Sequence, residues 1–312
     1  MNRSKLILVA ALSSCTLEYG GDDGFSGGAT LGAGTQTSEG SESGAGTSTG
    51  PADATSADTT SGDTGMTILD VSAPETTGTI SEIAEVFGHS ADTLYRLDPE
   101  TKEVEEIGTF DGCTASIIDI ALDADSRMFG AAYGSLWSID RTSGACTLIA
   151  DGDYPTSLSF VPAGTVDPDR EALVGFVDDE YIRIDTETGE ITPLGTLTGG
   201  LASSGDMVSV ANGGSYLTVY DDGACNDVDC IVEIDPRDGT VLVDYGPLPY
   251  GQVFGLAFWA GRAYGFARGG ELFEIDFDGG EATTTPIPIP GAPAMLEFFG
   301  AGSTTSAPPV EG

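Results

Sequence analysis

Five oxygen-bearing side chains fall within nine positions of this chain: Asp221, Asp222, Asn226, Asp227 and Asp229. Hard divalent cations collect roughly six to eight such oxygens. The string Asp221-Asp-Gly-Ala-Cys-Asn-Asp-Val-Asp229, fastened by Cys225 and Cys230, is therefore the best calcium candidate in the sequence. It does not follow the twelve-residue EF-hand spacing, and solvated hairpin turns account for the same residues. Further acidic pairs, Asp123/Asp125, Asp151/Asp153, Asp167/Asp169 and Asp276/Asp278, read as turn residues. A glycosidase needs two carboxyl groups facing each other across a substrate. Nothing marks out two here, so no catalytic residue is assigned.

The chain has a single histidine, His89, which excludes histidine-rich metal clusters and most acid–base triads. It stands at a strand end, where a structural or a solvent-exposed histidine is expected rather than a catalytic base. No G-x-S-x-G elbow and no phosphate-cradling loop occurs. Four cysteines lie beyond the N-terminal region: Cys113, Cys146, Cys225 and Cys230. Three pairings are possible. Position along the repeats favours Cys113–Cys146, tying adjacent modules, and Cys225–Cys230, closing a tight loop. Zinc is the rival reading, and it lacks both histidine partners and a CxxC pair.

With 11 Lys+Arg against 50 Asp+Glu in 312 residues, the formal net charge is −39. A nucleic-acid binder draws its affinity from cations that neutralise phosphate, so that class is excluded. No apolar run approaches the roughly 20 residues of a spanning helix.

The elements that must position these side chains are written as a repeat. Leu94-Tyr-Arg-Leu-Asp98, Leu136-Trp-Ser-Ile-Asp140, Tyr181-Ile-Arg-Ile-Asp185, Ile231-Val-Glu-Ile-Asp235 and Leu272-Phe-Glu-Ile-Asp276 align without gaps, at intervals of 42, 45, 50 and 41 residues. That period belongs to propeller blades, each a four-stranded antiparallel sheet. Positions one, two and four of the signature are apolar, as a strand covered on both faces requires. The Asp opens a turn, and glycine supplies its positive-φ position in four of the five units. Two strands precede the signature in every unit except the first, which has only Ile83–Gly88. The unused apolar segment Ala294–Gly300, centred on Met295–Phe299, is expected to complete the first unit and close the ring. Residues 79–312 thus read as an all-β, single five-bladed propeller of four-stranded blades. Six blades is the alternative, should 66–80 or 300–308 hide further strands.

Ahead of the ring, residues 16–78 carry ten acidic side chains, no Lys or Arg, and mostly Gly, Ser, Thr and Ala. Such a segment cannot bury enough apolar area to offset its ordering entropy, and is expected to be a disordered linker. As a flexible coil it would span roughly 45 Å. Residues 1–15 (MNRSKLILVAALSSC) run from Arg3 and Lys5 through a short apolar stretch to small residues and Cys15, the layout of an export signal.

Leu12-Ser-Ser-Cys15 resembles the lipobox of bacterial lipoproteins. The resemblance implies cleavage before Cys15, acylation of that residue, and attachment to a membrane through lipid. Thr16 after the Cys leans towards the outer membrane or cell surface. The strand-turn unit resembles secreted bacterial propellers of the PQQ-like, NHL-like and WD40-like superfamily group, over about three quarters of the chain. It lacks the regular Trp-Asp pairs of WD40 blades and the Trp docking motif of quinoprotein blades, so no quinone is expected. The resemblance carries fold and not activity. The expectation is an exported, lipid-anchored, monomeric propeller that binds or scaffolds a protein or carbohydrate. No cofactor is expected beyond a possible calcium ion. The alternative is a calcium-dependent hydrolase, lactonase-like enzyme or glycosidase using channel carboxylates.

Overall fold

The computed structural model describes residues 85–308, apart from 222, 224, 226 and 278. Cys15, the 1–15 signal and the 16–78 linker lie outside the described residues. Twenty strands form five four-stranded antiparallel sheets. Within each blade the strands are lettered A to D from the axis to the rim. Blade 1 is Gly300–Ser303, Val86–His89, Thr93–Leu97 and Val104–Thr109. Blade 2 is Ile117–Leu122, Met128–Ala132, Ser135–Ile139 and Cys146–Asp151. Blade 3 is Ser157–Val161, Ala172–Val177, Glu180–Ile184 and Ile191–Thr196. Blade 4 is Ala202–Ser209, Ser215–Tyr220, Cys230–Ile234 and Val241–Pro247. Blade 5 is Val253–Trp259, Arg262–Ala267, Leu272–Asp276 and Thr283–Ile287.

The repeated signature is strand C, and its apolar pattern follows from what lies on either side. Five hydrophobic clusters fill the five gaps between neighbouring blades. Leu136 packs into the layer shared with blade 3, beside Leu158, Phe160 and Leu173. Trp137, the next residue, packs into the layer shared with blade 1, beside Phe87 and Leu94. Neither layer exists in an isolated blade, so each sheet is held by its neighbours. The signature Asp caps the turn that follows: Oδ1 of Asp98, Asp140, Asp185 and Asp235 accepts the backbone N–H two residues on at 2.8–3.0 Å. Gly144, Gly189 and Gly239 supply the left-handed residue. In blade 1 Lys102 takes that conformation instead (φ 61°). Its ammonium group pairs with Glu274 and donates to Tyr264 Oη of blade 5 at 2.7 Å.

The C-terminus closes the ring, but through a different segment from the one its apolar pattern marks. Strand A of blade 1 is Gly300–Ser303, paired antiparallel with Val86–His89. Met295 is 88% exposed, and Phe298 is an interblade plug packed edge-on against Tyr95 and Phe266. Crowding at the axis is the reason. A Cβ on Gly300 would collide with Asp119 Oδ1 and His89 Nε2, and one on Gly302 would lie 2.8 Å from Ile120 O. Bulky residues cannot occupy that strand. The same constraint governs the start of strand A in blade 4, where the small and polar Ala202–Asp206 precedes the apolar Met207–Val210. Residues 300–308 belong to the seam rather than to a sixth blade.

Both disulfides form. Cys113, in the connection from blade 1 to blade 2, bonds to Cys146 at the start of strand D of blade 2. Cys225–Cys230 closes the loop between strands B and C of blade 4. Among the described residues no helix is long and apolar enough to cross a membrane.

Gly300→Ala is expected to lower stability by about 1–3 kcal/mol, the range of overpacked buried sites. Met295→Ala should stay within about 0.5 kcal/mol, as exposed substitutions do. Paired urea unfolding curves read the difference.

Candidate functional site

Strand A of each blade is the innermost, so its axis-facing edge has no further strand to pair with. At the level of the first signature residue the five inner strands contribute Gly300, Asp119, Ser157, Gly205-Asp206 and Gly255. In blade 4 the register slips there: Ser204, Gly205 and Asp206 stand opposite Thr218 alone, whose hydroxyl accepts the Asp206 N–H at 2.9 Å. The bulge turns Asp206 into the hub.

Asp119 and Asp206 are both 0% exposed. Asp119 accepts the N–H of Ile120 in its own strand at 2.9 Å and that of Leu158 in blade 3 at 2.5 Å. Asp206 accepts the N–H of Met207 at 2.6 Å and that of Leu256 in blade 5 at 2.6 Å. Each carboxyl group therefore caps an inner-edge amide of the next blade round. The two carboxyl groups lie near enough for each to affect the other's titration. Burial raises both above the ordinary aspartate range, and the charge of Asp206 raises Asp119 further.

His89 completes the hub. It is 0% exposed, and its Nδ1–H donates to Ser90 O at 2.7 Å. Nε2 therefore carries the lone pair, without a hydrogen-bond partner, towards Gly300. Burial pulls its pKa down to about 4, so the ring is neutral at physiological pH.

The two ends of the ring differ in charge. On one end, the crossover face, lie the B–C turns and the connections between blades. Backbone bonds knit these together: Phe110 N to Asp92 O, Gly152 N to Gly134 O, Leu197 N to Asp179 O and Leu248 N to Asp229 O. On the other, the hairpin face, lie the A–B and C–D turns. Of the nine Lys and Arg among the described residues, eight stand in or beside hairpin-face turns; only Arg268 follows a strand B onto the crossover face. The hairpin face holds a cleft of about 1000 Å³ lined by Asp123, Arg127, Glu171, Arg183 and Thr305. Its charges are internally matched: Arg127 Nε lies 2.5 Å from Asp123 Oδ2, and Arg183 lies 2.7 Å from Asp167. Glu171 accepts from Ala124 N at 2.7 Å and from the Thr305 hydroxyl.

The calcium candidate loop lies on the crossover face. Asp221 Oδ1 accepts the N–H groups of Gly223 at 2.8 Å and Cys225 at 2.9 Å. Asp229 turns inward and accepts Val253 N–H at 2.5 Å, joining blade 4 to blade 5. Asp227 is exposed. Asp222 and Asn226 lie outside the described residues. Among the described residues, no group of three or more His, Cys, Asp or Glu side chains is arranged to hold a metal ion. The hub acids Asp119 and Asp206 are absent from the sequence reading. A signal for Asp119 existed: a carboxyl group inside the apolar run Ile117-Ile-Asp-Ile-Ala121, with no turn residue nearby, must be buried and satisfied.

No protein-family model matches this sequence, and no curated protein matches it. Solved structures share the fold at low identity. A nidogen/laminin complex contains a chain 14% identical, covering 72% of this chain and 99% of that one, with a TM-score of 0.45. The hydrazine synthase of Kuenenia stuttgartiensis is 12% identical over 63% of this chain and 60% of its own, with a TM-score of 0.37. A protein of unknown function from Bacteroides caccae is 12% identical over 69% and 77%, also with a TM-score of 0.37. The fold is that of a five-bladed β-propeller.

The hub gives stability a definite pH dependence. The Asp pair holds its proton in the folded state at pH values where unfolded aspartates have lost theirs. Its contribution therefore falls as pH rises from about 4 through the raised folded value. His89 acts oppositely: unfolded histidine binds a proton below about 6.5, folded His89 only below about 4, so its contribution rises across that window. Asp119→Asn replaces a titratable carboxyl group with a permanently neutral amide and loses one acceptor. The variant should be about 1–2 kcal/mol less stable near pH 5, with the deficit shrinking or reversing by pH 9. Urea midpoints across that range test it.

Proposed function

We propose that this chain is an exported, lipid-anchored binding propeller that meets its ligand on a face of the ring rather than in the channel. The observation that carries the reading is the closed hub. The two channel carboxyl groups have no solvent exposure, and their oxygens accept backbone amides of four blades. A hydrolase of the calcium-dependent, lactonase-like or glycosidase kind needs carboxylates that reach substrate and water. The faces, in contrast, are loop surfaces on a scaffold of five interlocked sheets, the usual setting for recognition.

Export and anchoring rest on the N-terminal sequence and fit two disulfides, which persist in oxidising compartments. Two or more acyl chains on Cys15 would give stable attachment where one gives marginal binding.

In a bacterial host fed an alkyne-tagged fatty acid, the chain should label and sediment with membranes, and Cys15→Ala should do neither. Purified protein with calcium should turn over no ester, lactone or glycoside above buffer rates. Turnover that disappears in Asp119→Asn/Asp206→Asn would sink the binding reading.

A further inference from the structure

We infer that the crossover face of blades 2 to 4 is a docking surface for a lysine- and arginine-rich polypeptide segment. The inference rests on the binding reading above and names the partner's chemistry. Three consecutive blades expose a large apolar side chain where strand B ends: Tyr133 at 77%, Val177 at 43% and Tyr220 at 45%. Isolated exposed rings are ordinary. Tyr133 and Tyr220 hold the same register position in blades 2 and 4, and Val177 lies one residue short of it in blade 3; together they put three exposed apolar groups at this end of adjacent blades. Backbone bonds tie this surface together: Gly152 N donates to Gly134 O in the blade 2 turn, and Ser203 N donates to Asp178 O at 2.8 Å across blades 3 and 4.

Carboxylates alternate with these side chains. Asp151 and Asp153 lie beside Gly152, and Asp178, Asp179 and Glu180 follow Val177; all five are exposed. Among the described residues none of the five pairs with Lys or Arg, whereas most cations of the ring are matched to acids on the hairpin face. The crossover face thus combines uncompensated negative charge with tyrosine rings. A basic side chain satisfies both, by ion pairing and by stacking its cation and aliphatic stem on the ring. A divalent ion would need the acids gathered at one point, and they are spread over blades. A nucleic acid or an anionic lipid surface would be repelled. A neutral glycan would use the rings and leave the carboxylates idle.

Fluorescence anisotropy tests this with the full chain and two labelled 12-residue peptides, one alternating Lys with Gly and one alternating Glu with Gly. The Lys peptide is expected to bind, with affinity falling as salt rises, and the Glu peptide is not. Tyr133→Ala/Tyr220→Ala leaves net charge unchanged and should weaken binding at least fivefold. Asp178→Asn/Asp179→Asn/Glu180→Gln should weaken it at least tenfold. The rim control Glu105→Gln/Glu106→Gln/Glu187→Gln removes the same charge and should change it less than twofold. Equal losses in the two triple variants, or no loss in the tyrosine pair, would show attraction to bulk charge alone and overturn the proposal. Binding of a neutral glucan oligosaccharide at the same tyrosines, with the Lys peptide silent, would also overturn it while leaving a binding propeller standing. Circular dichroism confirms that each variant remains folded.

Discussion

Five inner strands meet at one axis, and there is not enough room between them for ordinary side chains. Gly205, Gly255, Gly300 and Gly302 stand where a Cβ would press into a neighbouring strand. The strands also present edge amides with no further strand to accept them, and an unpaired buried N–H is costly. Asp119 and Asp206 answer both demands. A short carboxyl group fits the gap and accepts from the next blade round. Burial and the neighbouring charge both favour the protonated carboxyl group there. The polar hub is thus a consequence of building a narrow ring.

That arrangement bears on where activity can reside. A carboxyl group already capped and dry is poorly placed to meet a substrate. The same logic applies to Asp229, which reaches inward to Val253, and to Ser303, whose hydroxyl accepts Phe258 N–H from blade 5. What remains open to solvent is the surface at each end. There the distribution of cations separates a charge-matched hairpin face from an acidic crossover face. Every blade ends its B strand on the same face, so exposed groups of adjacent blades gather there.

The sequence made the ring legible because strand C is read twice, once by each neighbour. Leu136 and Trp137 serve different interblade layers, and that double burial imposes an apolar pair in every unit. The turn Asp and the positive-φ glycine are equally fixed by local geometry. The hub was not legible, since strand A next to the axis is selected for smallness. Gly-Ala-Gly-Ser at 300–303 looks like a linker, and the bulky Met295–Phe299 beside it looks like a strand. Met295 is solvent-facing and Phe298 a plug. Asp206, in Ser-Ser-Gly-Asp, reads as a loop for the same reason. The charge partition between faces was hidden too, because it appears only when turns from five units are sorted by the end of the ring they occupy.

The seam joins residues far apart along the chain: Glu85 N donates to Thr304 Oγ1 across a separation of 219 positions. A ribosome therefore makes blades 2 to 5 before the strand that completes blade 1 emerges. Until residues 300–304 arrive, the first and last blades lack the seam that joins them. Any chaperone that attends the nascent ring must shield its unpaired apolar flanks for that interval.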